Sequence, residues 1–479
     1  MNPLFLEYTV VLLGIILLMV EAFLPDLDKK KIALAGIAGL FFVLFLTWMP
    51  LHSLSIESAP FYTTDPLALF FKRFMIVMTI ITLWMSLDFI PVIQRGIPGE
   101  RPGAGVGEFF ILPIFACASL MWLVSAISFI MLFVSLECMT VVLYISISYL
   151  RKDPKTLEAG TKYLILSALT TGFLVYGITW IFGITGTTSI EHLADSIALL
   201  PPQSLTPLLF GVGLVLVAFC FKIAAFPFQF WLPDVYQGAP TPITAFLSIA
   251  SKAAGFVLLL RFLEQLYLIP TLGKKVFAVT TLLAMMTLLF GNLAAMAQTN
   301  MKRLLAYSSI AHTGYVLMAV ASIGAALALP AIGFYLVAYL AMTSLAFIVL
   351  LIVTETSGGN EIYCFQGLHE RSPLLAAAMT VAMISLAGLP LSAGFFGKFF
   401  IFQVTFQQGH YGLLGVGTIS VVAGIYYYLK VIKVMYWKQP SQGSAPITLS
   451  KLTTVLISLL IAVILILGIY PTPILMSLQ

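Results

Sequence analysis

The sequence predicts an all-α polytopic membrane protein of about 14 transmembrane helices, with two inverted five-helix repeats and broken helices 7 and 12. Three observations predict it. Of the 479 residues, 61% are hydrophobic and 9% charged, and the mean hydropathy of +1.06 lies far above that of soluble domains. A spanning helix needs about 20 mostly apolar residues, and the chain offers fourteen such runs joined by short loops, so a single membrane domain over 1–479 is expected. Prolines and glycines interrupt two of these runs at matching places.

The first run, 4–24, contains Glu7 and Glu21 and lacks a basic leader or a small-residue cleavage site, so a retained span is expected. Runs two and three, 32–49 and 67–89, follow a lysine cluster and a polar loop respectively. Runs four, five and six cover 108–127, 128–150 and 157–185. The seventh, 207–236, has Pro227 inside it, where a missing N–H removes a helix hydrogen bond. The eighth to eleventh cover 242–266, 276–296, 304–325 and 330–354. The twelfth, 373–406, carries GLPLSAGFFGK at 388–398, with Pro390 and three glycines, and the last two cover 411–436 and 452–470.

Aligning the two breaks gives an offset of 390 − 227 = 163 residues, which carries helices 4–8 (108–266) roughly onto helices 9–13 (276–436). Five spans is an odd number, so consecutive repeats must insert with opposite topology. Interrupted helices at corresponding places in two halves point to an inverted-repeat transporter whose unwound segments line a polar cavity. For either proline alone, a packing kink with no transport role is the lesser reading.

Basic residues set the expected orientation. Loops after odd-numbered runs hold Lys29 to Lys31, Arg95, Arg101, Arg151, Lys152, Lys155, Lys302, Arg303, Arg371, Lys438 and Lys451, whereas loops after even-numbered runs hold only Lys274 and Lys275. The positive-inside rule then places both termini outside, with Lys72, Arg73 and Arg261 counting against it. The net charge of +5 adds little. Cys117, Cys138, Cys220 and Cys364 are scattered singly, and His52, His192, His312, His369 and His410 form no metal-spaced pair. No glycine-rich nucleotide fingerprint occurs, so no cofactor or metal is expected in this chain, and no nucleic-acid partner.

Four ionisable residues lie deep in apolar runs: Glu137 in LFVSLECM, Lys222 in FCFKIAAF, Lys252 in SIASKAAGF and Lys398 in GFFGKFFIF. A charge at mid-bilayer costs about 2.5 to 3.5 kcal/mol on insertion scales and persists where it faces protein or water, usually for transport. Lysine suits proton carriage because its charge responds to burial and to a nearby carboxylate, whereas arginine does not release its proton. Glu137 is the expected partner of Lys222. Glu158 and Lys162, spaced i, i+4, and His312 are further candidates for a proton path. They also fit an interfacial helix pair and a hydrogen-bonded packing residue.

The stretches LFVSLECM, RKDPKTLEAGTKYLILSAL, FPFQFWLPDVYQGAPTPITAFLSIASKAAGF, QTNMKRLLAYSSIAHTGY and LAGLPLSAGFFGKF occur in this order along nearly the whole chain. Together they closely resemble the subunit N family, the antiporter-like subunits of bacterial proton-translocating NADH:quinone oxidoreductase (complex I) related to mitochondrial subunit 2. The resemblance implies proton-transfer roles for Glu137 and Lys222, a connecting role for Lys252 and an outward half-channel at Lys398. Glu158 and Lys162 match polar positions of that family. It also implies partners: the other membrane and peripheral subunits of the complex, which would carry NADH, FMN, iron–sulfur clusters and quinone, in a bacterial inner membrane. The alternative is a subunit of a multisubunit cation/proton antiporter. Sister subunits usually bear a histidine in helix 8 where this chain reads SIASKAAGF, which favours subunit N.

Overall fold

The computed structural model describes residues 4–24, 27–49, 61–97, 105–440 and 446–478. Arg101 and His52 lie outside them. The described residues form helices and three isolated bridges, with no β-strand among them. Ten helices among them are long and apolar enough to cross a membrane. The other four predicted runs are helical but fall short for identifiable reasons. Lys29–Leu46 opens on three lysines, and Met301–Val320 is diluted by Ser308, Ser309, His312 and Thr313. Lys451–Leu467 has 17 residues, and the twelfth run divides into Pro373–Ala387 and Ala393–Gln407, each of 15.

Helix starts follow capping chemistry. Asp153 accepts from Lys155 N at 3.0 Å with Pro154 in the first helical position, and Asn300 accepts from Arg303 N at 3.2 Å. Within the helices, hydroxyls such as Thr79, Thr82 and Thr140 donate to the carbonyl four residues back, which satisfies them where no water competes. Leu164, Ile165 and Leu169 are exposed on one flank of Pro154–Thr185, as a lipid-facing helix requires.

The chain divides into two compact units, one of Met1–Leu83, Ile93–Trp231 and Gly238–Val279, the other of Trp84–Val92, Leu232–Gln237 and Thr280–Gln479. In the first, Val106–Val124 packs on Phe5–Phe23 and Phe129–Ile147, while Pro154–Thr185 packs along Leu205–Ile223. In the second, Ala328–Ser357 is almost wholly buried against Pro373–Ala387, Ala393–Gln407 and Lys451–Leu467.

The units share internal landmarks at a constant spacing. A bridge joins Ser128 to Ser189 in the first and Asn300 to Glu361 in the second, and a left-handed glycine ends a long helix at Gly186 and at Gly358. Each landmark recurs 172 residues later (128 to 300, 189 to 361, 186 to 358). At the ends of the broken half-helices, Ile223 and Ala387, the spacing falls to 387 − 223 = 164, because the intervening connection and half-helix are shorter in the second unit. The proline offset of 163 therefore matches the breaks but not the helices before them.

Candidate functional site

In the first unit, the helix Leu205–Ile223 ends one residue after Lys222, and the chain leaves it through Ala224 in the left-handed region at φ 55°. Pro227 lies beyond this exit and not within the helix, where the sequence reading put it. Proline is common just past a helix end because it cannot continue one. Two of the last-turn carbonyls find donors beyond the helix: Ala225 N donates to Cys220 O at 2.8 Å and Trp231 Nε1 to Phe221 O at 3.1 Å. Lys222 thus sits in the final turn, where the helix dipole favours a cation.

Its buried ammonium is held by hydroxyls from two neighbouring helices. Nζ donates to Thr140 Oγ1 at 2.8 Å and Ser167 Oγ at 3.1 Å, and lies 5.8 Å from the Tyr163 ring centroid. Glu137 is one turn from Thr140 on Phe129–Ile147 and accepts from Thr171 Oγ1 at 2.6 Å. Lys222 and Glu137 form no ion pair within 4 Å among the described residues, so the expected partnership is through space, across one helical turn. Thr171 and Ser167, also one turn apart, tie the two charges to one face of Pro154–Thr185.

Lys252 is buried at the point where a π-turn over Leu247–Ser251 gives way to the α-helix Lys252–Tyr267. π-Turns within α-helices occur frequently at functional sites. Gly255, one turn on, lets the Lys222 helix approach: a Cβ there would stand 2.9 Å from Ile223 Cγ2 and 3.7 Å from Lys222 Cβ. Lys222 and Lys252 are therefore on touching helices within about one turn of each other.

In the second unit, the break between Pro373–Ala387 and Ala393–Gln407 is built around Lys398. Its Nζ reaches back to cap the first half-helix, donating to Leu386 O at 2.9 Å and Ala387 O at 2.8 Å, and lies 4.9 Å from the Tyr315 ring centroid. Gly388, left-handed at φ 83°, passes close to the lysine, and the half-helices meet at Gly394, whose N donates to Ser385 Oγ at 3.1 Å. Both lysines thus serve the C-terminal end of a first half-helix. One does so from within the helix and the other from beyond the break, which accounts for their lying on opposite sides of their prolines.

Beside Lys398 stands a cluster of buried aromatic hydroxyls. His312 Nδ1 pairs with Tyr335 OH at 2.6 Å and Nε2 with Tyr428 OH at 3.1 Å. Tyr428 also bonds Ser308, and Tyr339 donates to Ser309 at 2.8 Å. The 172-residue spacing maps Thr140, Tyr163 and Ser167, which surround Lys222, onto His312, Tyr335 and Tyr339. Glu137 maps onto Ser309, so the second cage has no carboxylate at that position.

The residues 126–424 match the family model described as NADH:quinone oxidoreductase/Mrp antiporter, TM. A curated relative from Trichlorobacter lovleyi, NADH-quinone oxidoreductase subunit N, is 38% identical over 91% of this chain and 88% of its own length. The chain belongs to the subunit N family.

Among solved structures, a chain of respiratory complex I from Thermus thermophilus with bound Aureothin superimposes with a TM-score of 0.80. It is 29% identical and covers 98% of both chains. A chain of the Mrp complex from Dietzia sp. reaches a TM-score of 0.82 at 17% identity over 98% of this chain and 95% of its own, a likeness of fold.

Of the candidates, Glu137, Lys222 and Lys252 are brought together in the first unit, while His312 and Lys398 lie in the second. Glu158 and Lys162 form an i, i+4 ion pair at 2.7 Å with side chains 63% and 40% exposed, apart from the Lys222 cage. Arg303, one of the cations at the odd-numbered loops, pairs with Asp234 at 2.8 Å and Gln237 at 3.0 Å. The hydroxyl cages are not legible in the sequence, because serine, threonine and tyrosine are too common in helices to stand out. Cys117, Cys220 and Cys364 are buried singly, and no group of three metal-binding side chains occurs among the described residues.

Proposed function

We propose that this chain is a proton-translocating membrane subunit of NADH-quinone oxidoreductase. In this reading it works in a bacterial inner membrane with both termini outside, beside partner subunits that carry NADH, FMN, iron–sulfur clusters and quinone, and holds no redox centre itself. The observation that carries the reading is the pair of buried lysines, each at the C-terminal end of a broken half-helix. The shared 172-residue landmarks support two repeats, 108–266 and 276–436, inserted with opposite topology.

In the first unit, the Lys222 ammonium is held by neutral hydroxyls, so its energy responds to charge nearby. At about 6 Å and an effective dielectric of about 20, a carboxylate one turn away stabilises it by about 3 kcal/mol. Charge rearrangement that alters Glu137 or its Thr171 bond changes that stabilisation and sends the proton to Lys252, whose helix touches that of Lys222. Lys398 is the releasing group of the second repeat, with His312 and its tyrosines as the hydrogen-bonded surround. Glu158 and Lys162 contribute at most surface electrostatics, given their exposure.

The test is Lys222→Ala in the assembled complex, reconstituted in vesicles. Protons translocated per NADH oxidised are expected to fall while the complex still assembles. An unchanged ratio defeats the proposal. Sodium-driven proton exchange without NADH would favour the antiporter alternative.

A further inference from the structure

One group of buried charges plays no part in this mechanism. Glu7, on Phe5–Phe23, and Lys72, in the second turn of Pro66–Asp88, form an ion pair at 2.9 Å with side chains 0% and 1% exposed. The Tyr62 hydroxyl donates to Glu7 Oε1 at 2.8 Å and accepts from Lys72 Nζ, and the ammonium lies 4.6 Å from the Tyr62 ring centroid. Glu7 Oε2 is buried without a hydrogen-bond partner among the described residues. The Ser125 backbone carbonyl fixes the tyrosine segment by accepting from Thr63 N at 2.9 Å. The other charges acting on Lys72 are Asp65 and Arg261, themselves paired at 2.7 Å.

Stability does not explain the pair. Desolvating two ions costs several kcal/mol each, and well-packed apolar residues of similar volume usually do as well or better. What distinguishes this arrangement is its directed hydrogen bonding, Nζ–H to O–H to carboxylate. In a low-dielectric site the ionic and neutral forms of such a pair lie closer in energy than in water, and they interconvert without changing the net buried charge.

We propose that Glu7, Tyr62 and Lys72 form a proton-relay site of the first unit, additional to Lys222 and Lys252. This rests on the reading above that the chain translocates protons. The Lys72 ammonium gives one proton to the Tyr62 oxygen as the Tyr62 hydroxyl proton passes to Glu7, leaving a neutral amine, an intact phenol and a carboxylic acid. Glu7 then releases its proton and Lys72 takes up the next one. One proton enters and one leaves. In the proposed orientation the N-terminal ends of Phe5–Phe23 and Pro66–Asp88 face outside, which places the site in the outer half of the first unit.

The decisive variant is Glu7→Gln with Lys72→Met in the whole complex, reconstituted in vesicles. It removes both charges together and keeps the volume, so packing survives if the pair is merely structural. Protons per NADH are expected to fall to the level of Lys222→Ala, because the two sites act in series. A ratio equal to that of the unmodified complex, beside a lowered ratio for Lys222→Ala, overturns the relay alone. A normal ratio for Lys222→Ala as well overturns the relay together with the reading beneath it. If the double variant does not assemble, Tyr62→Phe decides. It leaves the 2.9 Å ion pair but removes the relaying hydroxyl, so a lowered ratio with a reduced solvent deuterium isotope effect supports the relay, and an unchanged ratio and isotope effect overturn it.

Discussion

Removing the hydroxyls around Lys222 separates proton carriage from helix packing. In Thr140→Val with Ser167→Ala, the Lys222 ammonium loses both of its hydrogen bonds, at 2.8 and 3.1 Å, while its helix keeps the same apolar contacts. Hydrogen bonds to a charged group contribute about 1.5 to 3 kcal/mol each, so the ammonium loses about 3 to 6 kcal/mol. That matches or exceeds the roughly 3 kcal/mol from Glu137 one turn away, so the carboxylate alone cannot restore what the cage supplied. A buried lysine without partners loses its charge instead of unfolding its surroundings, and the chain is therefore expected to assemble. Protons translocated per NADH should fall toward the Lys222→Ala value, and single substitutions should give intermediate values. NADH oxidation with an artificial electron acceptor, which reports the partner subunits, controls for assembly. A double variant that assembles and pumps with an unchanged ratio refutes the argument that the hydroxyls hold the transported proton.

Gly394→Ala tests the break in the twelfth span. Its Cβ would stand 1.8 Å from the Ser385 carbonyl oxygen, which is backbone and cannot step aside, so the half-helices must separate and the complex should be lost from membranes on a native gel. Glu158→Gln, by contrast, removes an exposed i, i+4 pair worth about 0.3 to 0.5 kcal/mol, and both thermal stability and pumping ratio should stay within error of the unmodified complex.

The fold class was legible because lipid imposes a coarse code, in which spans of about 20 apolar residues announce themselves whatever they pack against. Lys222, Lys252 and Lys398 were legible for the same reason, since a charge in such a run is costly enough to need a purpose. The Glu7 to Lys72 pair escaped notice because each residue lies near the end of its run, where a charge looks interfacial. Only packing shows that both are sealed from solvent. Proline content puts the break of the seventh span at Pro227, whereas the helix ends at Ile223, because a run of apolar residues does not reveal where its backbone hydrogen bonds stop.

By itself, then, the sequence determined which segments are apolar, which deep residues are ionisable and that the chain belongs among antiporter-like subunits. Tertiary structure decided what each ionisable group touches: hydroxyls for Lys222, helix-end carbonyls for Lys398, a tyrosine-bridged carboxylate for Lys72. The physical reason is range. Partition into lipid is a property summed over one segment, whereas the energy of a buried charge is set within about 3 to 6 Å by atoms from helices far apart in the chain.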